Sequence, residues 1–154
     1  MILIGIDPST RGTAYAVIKD GKLIARDVFK FKPKLDRGEV LNLIYNGIKD
    51  IIKEYQPELM TCEDQFVGRN VKTFGVLKEV VGVIRMAAYD CNIPMILYSP
   101  TTVKKAVGGK GNSKKEEVAV LINAMFAIEE TNLDITDACA IGMTYFVENN
   151  ESKG

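Results

Sequence analysis

Ile2-Leu3-Ile4-Gly5-Ile6-Asp7-Pro8-Ser9-Thr10 is the stretch from which the rest of the chain is read. Residues 2–7 are a short apolar run closed by an acid, the mark of a buried strand. Asp7-Pro8-Ser9-Thr10 then reads as a turn. Residues 13–19 form a second strand, Asp20-Gly21 is a tight hairpin signal, and 23–31 alternates loosely as a third strand. The chain therefore opens as an antiparallel meander. The period then changes. Val40, Leu41, Ile44, Ile48, Ile51, Ile52 and Tyr55 recur at helical spacing over 36–55, and Pro57 ends that helix. A strand at 58–63, a helix at 71–91, a strand at 93–98 and a short helix at 101–107 follow. Ser113 with Glu116 is a capping-box signal for a helix over 114–126. A last helix is predicted over 134–147, with 148–154 as a frayed polar tail. Strands joined through helices run parallel. The order βββαβαβ followed by helices predicts an α/β fold. Its centre is a mixed five-stranded sheet, three antiparallel strands and then parallel ones, flanked by helices in one domain over 1–154.

Bulk properties narrow the function. Twenty basic and 20 acidic residues cancel, which argues against a protein that grips nucleic acid with its whole surface but leaves room for a local basic patch. Cys62, Cys91 and Cys139 lie far apart among apolar residues, with no CxxC and no zinc spacing. Buried, reduced thiols and a cytoplasmic location are expected. The opening apolar run stops at Asp7, too short for a signal peptide or a membrane span, so no membrane association is expected.

Four acids stand at the edges of apolar stretches. Asp7 closes the first, Glu63 follows Leu59-Met60-Thr61-Cys62, and Asp134 and Asp137 precede Ala138-Cys139-Ala140-Ile141. Asp7 and Glu63 each end a strand, and in a parallel pair those ends adjoin at the rim where open α/β sheets keep their sites. Asp134 and Asp137, spaced i,i+3, share a helix face. Four converging carboxylates repel one another unless one or two divalent cations sit among them. The chain has no histidine, and oxygen donors alone select Mg²⁺ or Mn²⁺ over zinc. Such ions hydrolyse phosphodiesters. Taken singly, each acid also fits a plain role: Asp7 as a turn residue, Asp134 as a helix N-cap, Asp137 as a first-turn acid, Glu63 as a surface acid. The joint pattern favours the metal site.

These acids lie in blocks that resemble the RuvC family of Holliday junction resolvases, which have the ribonuclease H-like fold. Gly5-Ile6-Asp7-Pro8-Ser9-Thr10-Arg11-Gly12-Thr13-Ala14-Tyr15-Ala16-Val17-Ile18 is similar to the family's first-strand motif. Glu63-Asp64-Gln65-Phe66, with Asn70 following, is similar to the second acidic motif. From Tyr98 to Tyr145, Val103-Lys104, Gly111-Asn112-Ser113-Lys114-Lys115 and Asp134-Ile135-Thr136-Asp137-Ala138-Cys139-Ala140-Ile141 resemble the remainder. Ser9 and Ala14 stand where the family usually has glycine, and 19–40 matches only in outline, a divergence resembling phage-type members. The resemblance implies a metal-dependent, structure-selective DNA endonuclease that resolves Holliday junctions, and other branched DNA, by paired symmetric nicks. It implies that Asp7 bridges two Mg²⁺ (or Mn²⁺) ions, with Glu63, Asp134 and Asp137 completing their shells. Water would attack in line, leaving 5′-phosphate and 3′-hydroxyl ends. DNA contacts at Lys104 and Lys115 are implied too, Lys115 also offsetting charge at the scissile phosphate.

From Thr101 to Lys115 there are five lysines, Lys104, Lys105, Lys110, Lys114 and Lys115, and no acid. They surround a glycine loop that includes Asn112 and a helix start, both suited to phosphate, with a solvated loop as the plain alternative. Phe66, just past Glu63 in a loop with Gly68 and Arg69, is a candidate wedge at the branch point or an ordinary packed ring. Arg69 and Lys72 are weaker candidates for phosphate contact. Two matched nicks call for a homodimer with the symmetry of four-way DNA. The helix over 71–91 is apolar on more than one stripe and includes Gly75 and Gly82, so one stripe is free to meet a twin unless both are internal. Three other readings stay open: a ribonuclease H-like nuclease of RNA or RNA–DNA hybrid, a non-catalytic junction-binding protein, and a fragment of a sugar-kinase-like or actin-like ATPase. No branch-migration partner is legible.

Overall fold

The structure, a computed structural model, describes residues 1–10, 12–64 and 70–153, with side chains up to 150. The opening meander is β1 (Ile2–Asp7), β2 (Ala14–Lys19) and β3 (Lys22–Val28). Asp20 and Gly21 both take positive φ, 51° and 81°, as the expected two-residue hairpin turn requires. α1 (Arg37–Tyr55), β4 (Leu59–Glu63), α2 (Val71–Asp90), β5 (Met95–Tyr98), α3 (Pro100–Ala106), α4 (Lys115–Phe126) and α5 (Leu133–Lys153) follow. The sheet order is β3-β2-β1-β4-β5. β1–β2 and β2–β3 are antiparallel, and β1–β4 and β4–β5 are parallel. The expected mixed five-stranded sheet is what forms.

Alternation along the strands assigns each face its helices. Ile4, Ile6, Val17 and Met60 point toward α1 and α2, where Ile44, Ile48, Val80 and Ile84 bury fully against them. Ala14 and Ala16 point the other way, toward α3, α4 and α5, with Val103, Ile122, Ala138 and Ile141. Cys62 and Cys139 are buried, Cys91 is partly buried, and all three are free thiols. Among the described residues no helix is long and apolar enough to cross a membrane.

Three local expectations are corrected. β3 stops at Val28 rather than reaching 31. Phe29 donates its N–H to the Thr13 carbonyl (2.9 Å) and sets its ring 5.5 Å from that of Tyr15 at a tilt of 35°, so the chain turns onto the core instead of extending the sheet. Ser113 does not cap α4; Lys114 holds the cap position with no side-chain capping bond. The Ser113 hydroxyl instead accepts from the Lys110 N–H (2.8 Å), closing the glycine loop. Finally, α5 runs past Val147 to Lys153, so most of the expected polar tail is helix. No glycine or proline lies between Val147 and Gly154, and the Asn149 amide donates back to the Tyr145 carbonyl.

Candidate active site

The site depends on how closely α5 lies on the sheet. A Cβ on Gly5 would stand 2.5 Å from the Ala138 carbonyl oxygen and 2.7 Å from the Gly142 nitrogen. Only hydrogen at position 5 lets the two backbones meet. The buried Thr61 hydroxyl donates to the Ile141 carbonyl at 3.1 Å and ties the same helix to β4. Docked this way, the first turns of α5 cross the rim at the ends of β1 and β4.

Asp7 ends β1 and Glu63 ends β4, and the pairing of Ile6 with Cys62 sets them side by side at that rim. Carboxylate oxygens of Asp7, Asp134 and Asp137 lie within 4.8 Å of one another. Asp7 is only 5% exposed. Glu63 is not in that triad. It lines a small cavity of about 110 Å³ with Asp137, Lys104 and Lys115. Asp7 and Asp134 line a second, of about 210 Å³, with Ser9, Thr10, Thr73 and Lys115. Lys115 thus stands in the wall between the two. Its Nζ is 3.0 Å from an oxygen of Asp134 and 3.0 Å from an oxygen of Asp137.

The electrostatics follow from burial and crowding. Burial raises the Asp7 carboxyl well above its ordinary value; Asp137, Glu63 and Asp134 raise it further, against the pull of Lys115. Glu63 is pushed up to about 7 by burial and by Asp137. Asp137 is raised by burial, although Lys115 opposes the shift. Burial works against the Lys115 ammonium, but Asp137, Asp134 and Asp7 outweigh it and raise its pKa. Acids buried and crowded in this way resist ionising unless a cation sits among them. Three hard oxygens separated by up to 4.8 Å fit a divalent ion bound at roughly 2.0–2.6 Å from each.

The plain reading of Asp134 as a helix cap is overturned. Asn132 supplies the cap: its side-chain oxygen accepts from the N–H groups of Asp134 (2.9 Å) and Ile135 (3.3 Å). That frees the Asp134 carboxylate for Lys115. Glu130 accepts from the Asn132 N–H at 3.0 Å and from Arg26 of β3 at 2.9 Å, so the α4–α5 connection is fixed to the sheet. Sequence reasoning missed all three residues. Asn132 was readable as an N-cap; the Arg26–Glu130 pair, distant in sequence, carried no signal.

The basic candidates divide. Lys104 lines the Glu63 cavity. Lys110, Asn112 and Lys114 are exposed around the start of α4. Lys105 lines a separate cavity with Val147 and Glu148, in whose wall none of Asp7, Glu63, Asp134 and Asp137 stands. Lys72 is exposed in the first turn of α2, next to Thr73 of the Asp7 cavity. Phe66 and Arg69 lie outside the described residues.

Comparison with known proteins gives one consistent answer. The family model for crossover junction endodeoxyribonuclease RuvC matches residues 3–145. The crossover junction endodeoxyribonuclease RuvC of Desulforamulus reducens is 32% identical over 94% of this chain and 93% of its own. Thermus thermophilus RuvC superposes with a TM-score of 0.86 at 25% identity, covering 99% of this chain and 97% of that one. The structure of T. thermophilus RuvC in complex with Holliday junction substrate superposes equally well in fold, with a TM-score of 0.87 at 24% identity over 98% and 96%.

Proposed function

The chain belongs to the RuvC family of crossover junction endodeoxyribonucleases, and from that premise we propose that it resolves four-way DNA junctions. It does so as a single nuclease domain over 1–154, by paired nicks that leave 5′-phosphate and 3′-hydroxyl ends. The observation that carries this reading is the gathering of Asp7, Asp134 and Asp137 at the sheet rim, beside a lysine-rich run. We assign Asp7, Asp134 and Asp137 to one Mg²⁺ or Mn²⁺ ion, with Glu63 and Asp7 serving a second. Such ions, when bound, activate water and stabilise the departing oxygen. The chain's own groups do the rest. Lys115 holds fixed positive charge beside the acids, where a scissile phosphate brings negative charge. Lys104, which lines the Glu63 cavity, is assigned to a neighbouring phosphate.

The direct test is incubation with a labelled immobile four-way junction, a matched duplex and an RNA–DNA hybrid, with Mg²⁺ and with chelator. Metal-dependent, symmetric nicks on the junction alone are expected. Preferential cutting of the hybrid, or binding without any cutting, overturns the proposal.

A second expectation concerns metal and pH. A carboxyl raised in the fold stabilises the fold below its unfolded value and ceases to as pH passes its folded value. For Glu63 that window runs from 4.5 to about 7, and Asp7 and Asp137 shift the same way. With no histidine in the chain, little else titrates there. In chelator the melting temperature will fall from pH 5 to pH 8. Mg²⁺, which takes the ionised acids, will raise it more at pH 8 than at pH 6. Equal Mg²⁺ shifts at both pH values in a thermal melt remove these acids from the metal site.

The homodimer is assigned to the outer side of α2. A Cβ on Gly75 or Gly82 would meet nothing within 4 Å. Beside Gly82 runs a groove of about 450 Å³ lined by Leu41, Tyr45, Val83 and Met86, and Tyr89 is 74% exposed. Gly82→Arg fits the monomer and blocks close approach of a second helix. Sedimentation is expected to show a folded monomer, with paired nicks reduced to single, uncoupled ones. An unchanged dimer places the interface elsewhere.

A further inference from the structure

Beyond the lysines of 101–115, a second basic segment leaves the same rim. β3 ends at Val28, which pairs with Ala14, which pairs with Asp7. The segment after Val28 therefore emerges at the end of the sheet that holds the acids. It is Phe29-Lys30-Phe31-Lys32-Pro33-Lys34-Leu35, three lysines and no acid. Phe29, Phe31 and Leu35 pack against the core, so Lys30, Lys32 and Lys34 are left outward and exposed. Among the described residues none of the three is in an ion pair. Arg37 differs: its guanidinium donates to the Val76 carbonyl and faces Glu79 at 3.7 Å, so it anchors the segment to α2.

The segment opens toward the acids. Lys32 and Arg37 line a cavity of about 370 Å³ whose wall includes Thr10. Thr10 also lines the cavity of Asp7 and Asp134, so the two spaces adjoin at that residue. Sheet order makes the placement symmetrical. The acids of β1 and β4 sit near the middle, the lysines of 101–115 follow β5 at one edge, and Lys30, Lys32 and Lys34 follow β3 at the other. Four inter-strand gaps of about 4.8 Å separate the edges by roughly 19 Å. A strand with phosphates about every 3.4 Å along its axis spans that with five or six nucleotides.

We propose that Lys30, Lys32 and Lys34 form a second phosphate-binding flank, which holds the DNA backbone on the β3 side of the cleaved bond while the 101–115 lysines hold the other side. The proposal rests on the junction-cutting reading above. Sequence at the site is not read by these lysines; they set register and orientation. Because they do not touch the acids, they act on binding rather than on the chemical step.

The test replaces all three by glutamine and titrates a fluorescent four-way junction in chelator over a salt series. A control replaces Lys19, Lys22 and Lys53, which changes net charge equally but lies away from the rim. The flank variant is expected to bind about tenfold more weakly, with a salt slope lower by about 2 to 3. Its nicking rate at saturating protein should stay within about threefold of wild type. The control should move neither affinity nor slope appreciably. Equal losses in both variants, or wild-type affinity in the flank variant, overturn the flank while junction cutting by the wild type stands. A wild type that binds no junction overturns the functional reading and the flank with it.

Discussion

Asp7→Asn will abolish strand cleavage while leaving junction binding intact or tighter. The substitution keeps the shape of the side chain and removes its charge. At a position 5% exposed, that charge is opposed by burial, then by Asp137, Glu63 and Asp134. A divalent cation held by the three converging oxygens would compensate that cost. An amide is a far poorer ligand for a hard ion. Losing several kcal/mol of metal-derived stabilisation lowers the rate by roughly 10³-fold or more. Phosphate, however, meets one fewer negative charge, so the variant binds at least as well. In chelator it should also melt higher than wild type, since a buried, repelled carboxyl is gone. Single-turnover nicking, anisotropy and a thermal melt on one preparation check all three. Cutting at the wild-type rate would sink the assignment of the site.

Much of this frame was legible because its signals are local. Asp20-Gly21 specifies the hairpin through two positive φ values. The short apolar runs at β1 and β4, joined through α1, specify a parallel pair, and that pair places Asp7 beside Glu63. The i,i+3 spacing of Asp134 and Asp137 specifies a common face. What was not legible depends on partners distant in sequence. The end of β3 is decided by where Phe29 finds apolar surface, and the role of Ser113 by which N–H the glycine loop presents. The bridging of Asp134 and Asp137 by Lys115 joins two helices that no periodicity relates. The basic character of Lys30, Lys32 and Lys34 was in plain view, but only the pairing of Val28 with Ala14 and of Ala14 with Asp7 puts those lysines at the same rim. Convergence of the acids was inferred; their division into a close triad with Glu63 beside it required coordinates.

Gly5→Ala will cost the fold on the order of 3 kcal/mol or more and will damage the site in whatever fraction still folds. The added methyl would lie 2.5 Å from the Ala138 carbonyl oxygen, 2.7 Å from the Gly142 nitrogen and 2.9 Å from the Gly142 Cα. All three are backbone atoms of α5, which no rotamer change can move. Relief comes only by lifting the helix from β1, and that helix carries Asp134 and Asp137. Asp7 would stay on the strand while its two partners withdrew from it. Gly142→Ala presses on the same contact from the other side, yet its methyl meets first the Ile18 Cδ1 at 2.7 Å and the Leu3 Cδ1 at 3.3 Å. Those are ends of flexible side chains, so the cost should be clearly smaller. Gly75→Ala, with nothing within 4 Å of its methyl, should be neutral or stabilise by up to about 1 kcal/mol, as alanine does in an exposed helix. The order Gly5 far above Gly142, and Gly142 above Gly75, is checked by chemical denaturation. Coupling to function is checked separately, by the rise in melting temperature that Mg²⁺ produces. If Gly5→Ala lowers stability but keeps the full Mg²⁺ shift, the helix has not moved relative to Asp7, and the close approach of α5 to β1 serves stability without setting the site.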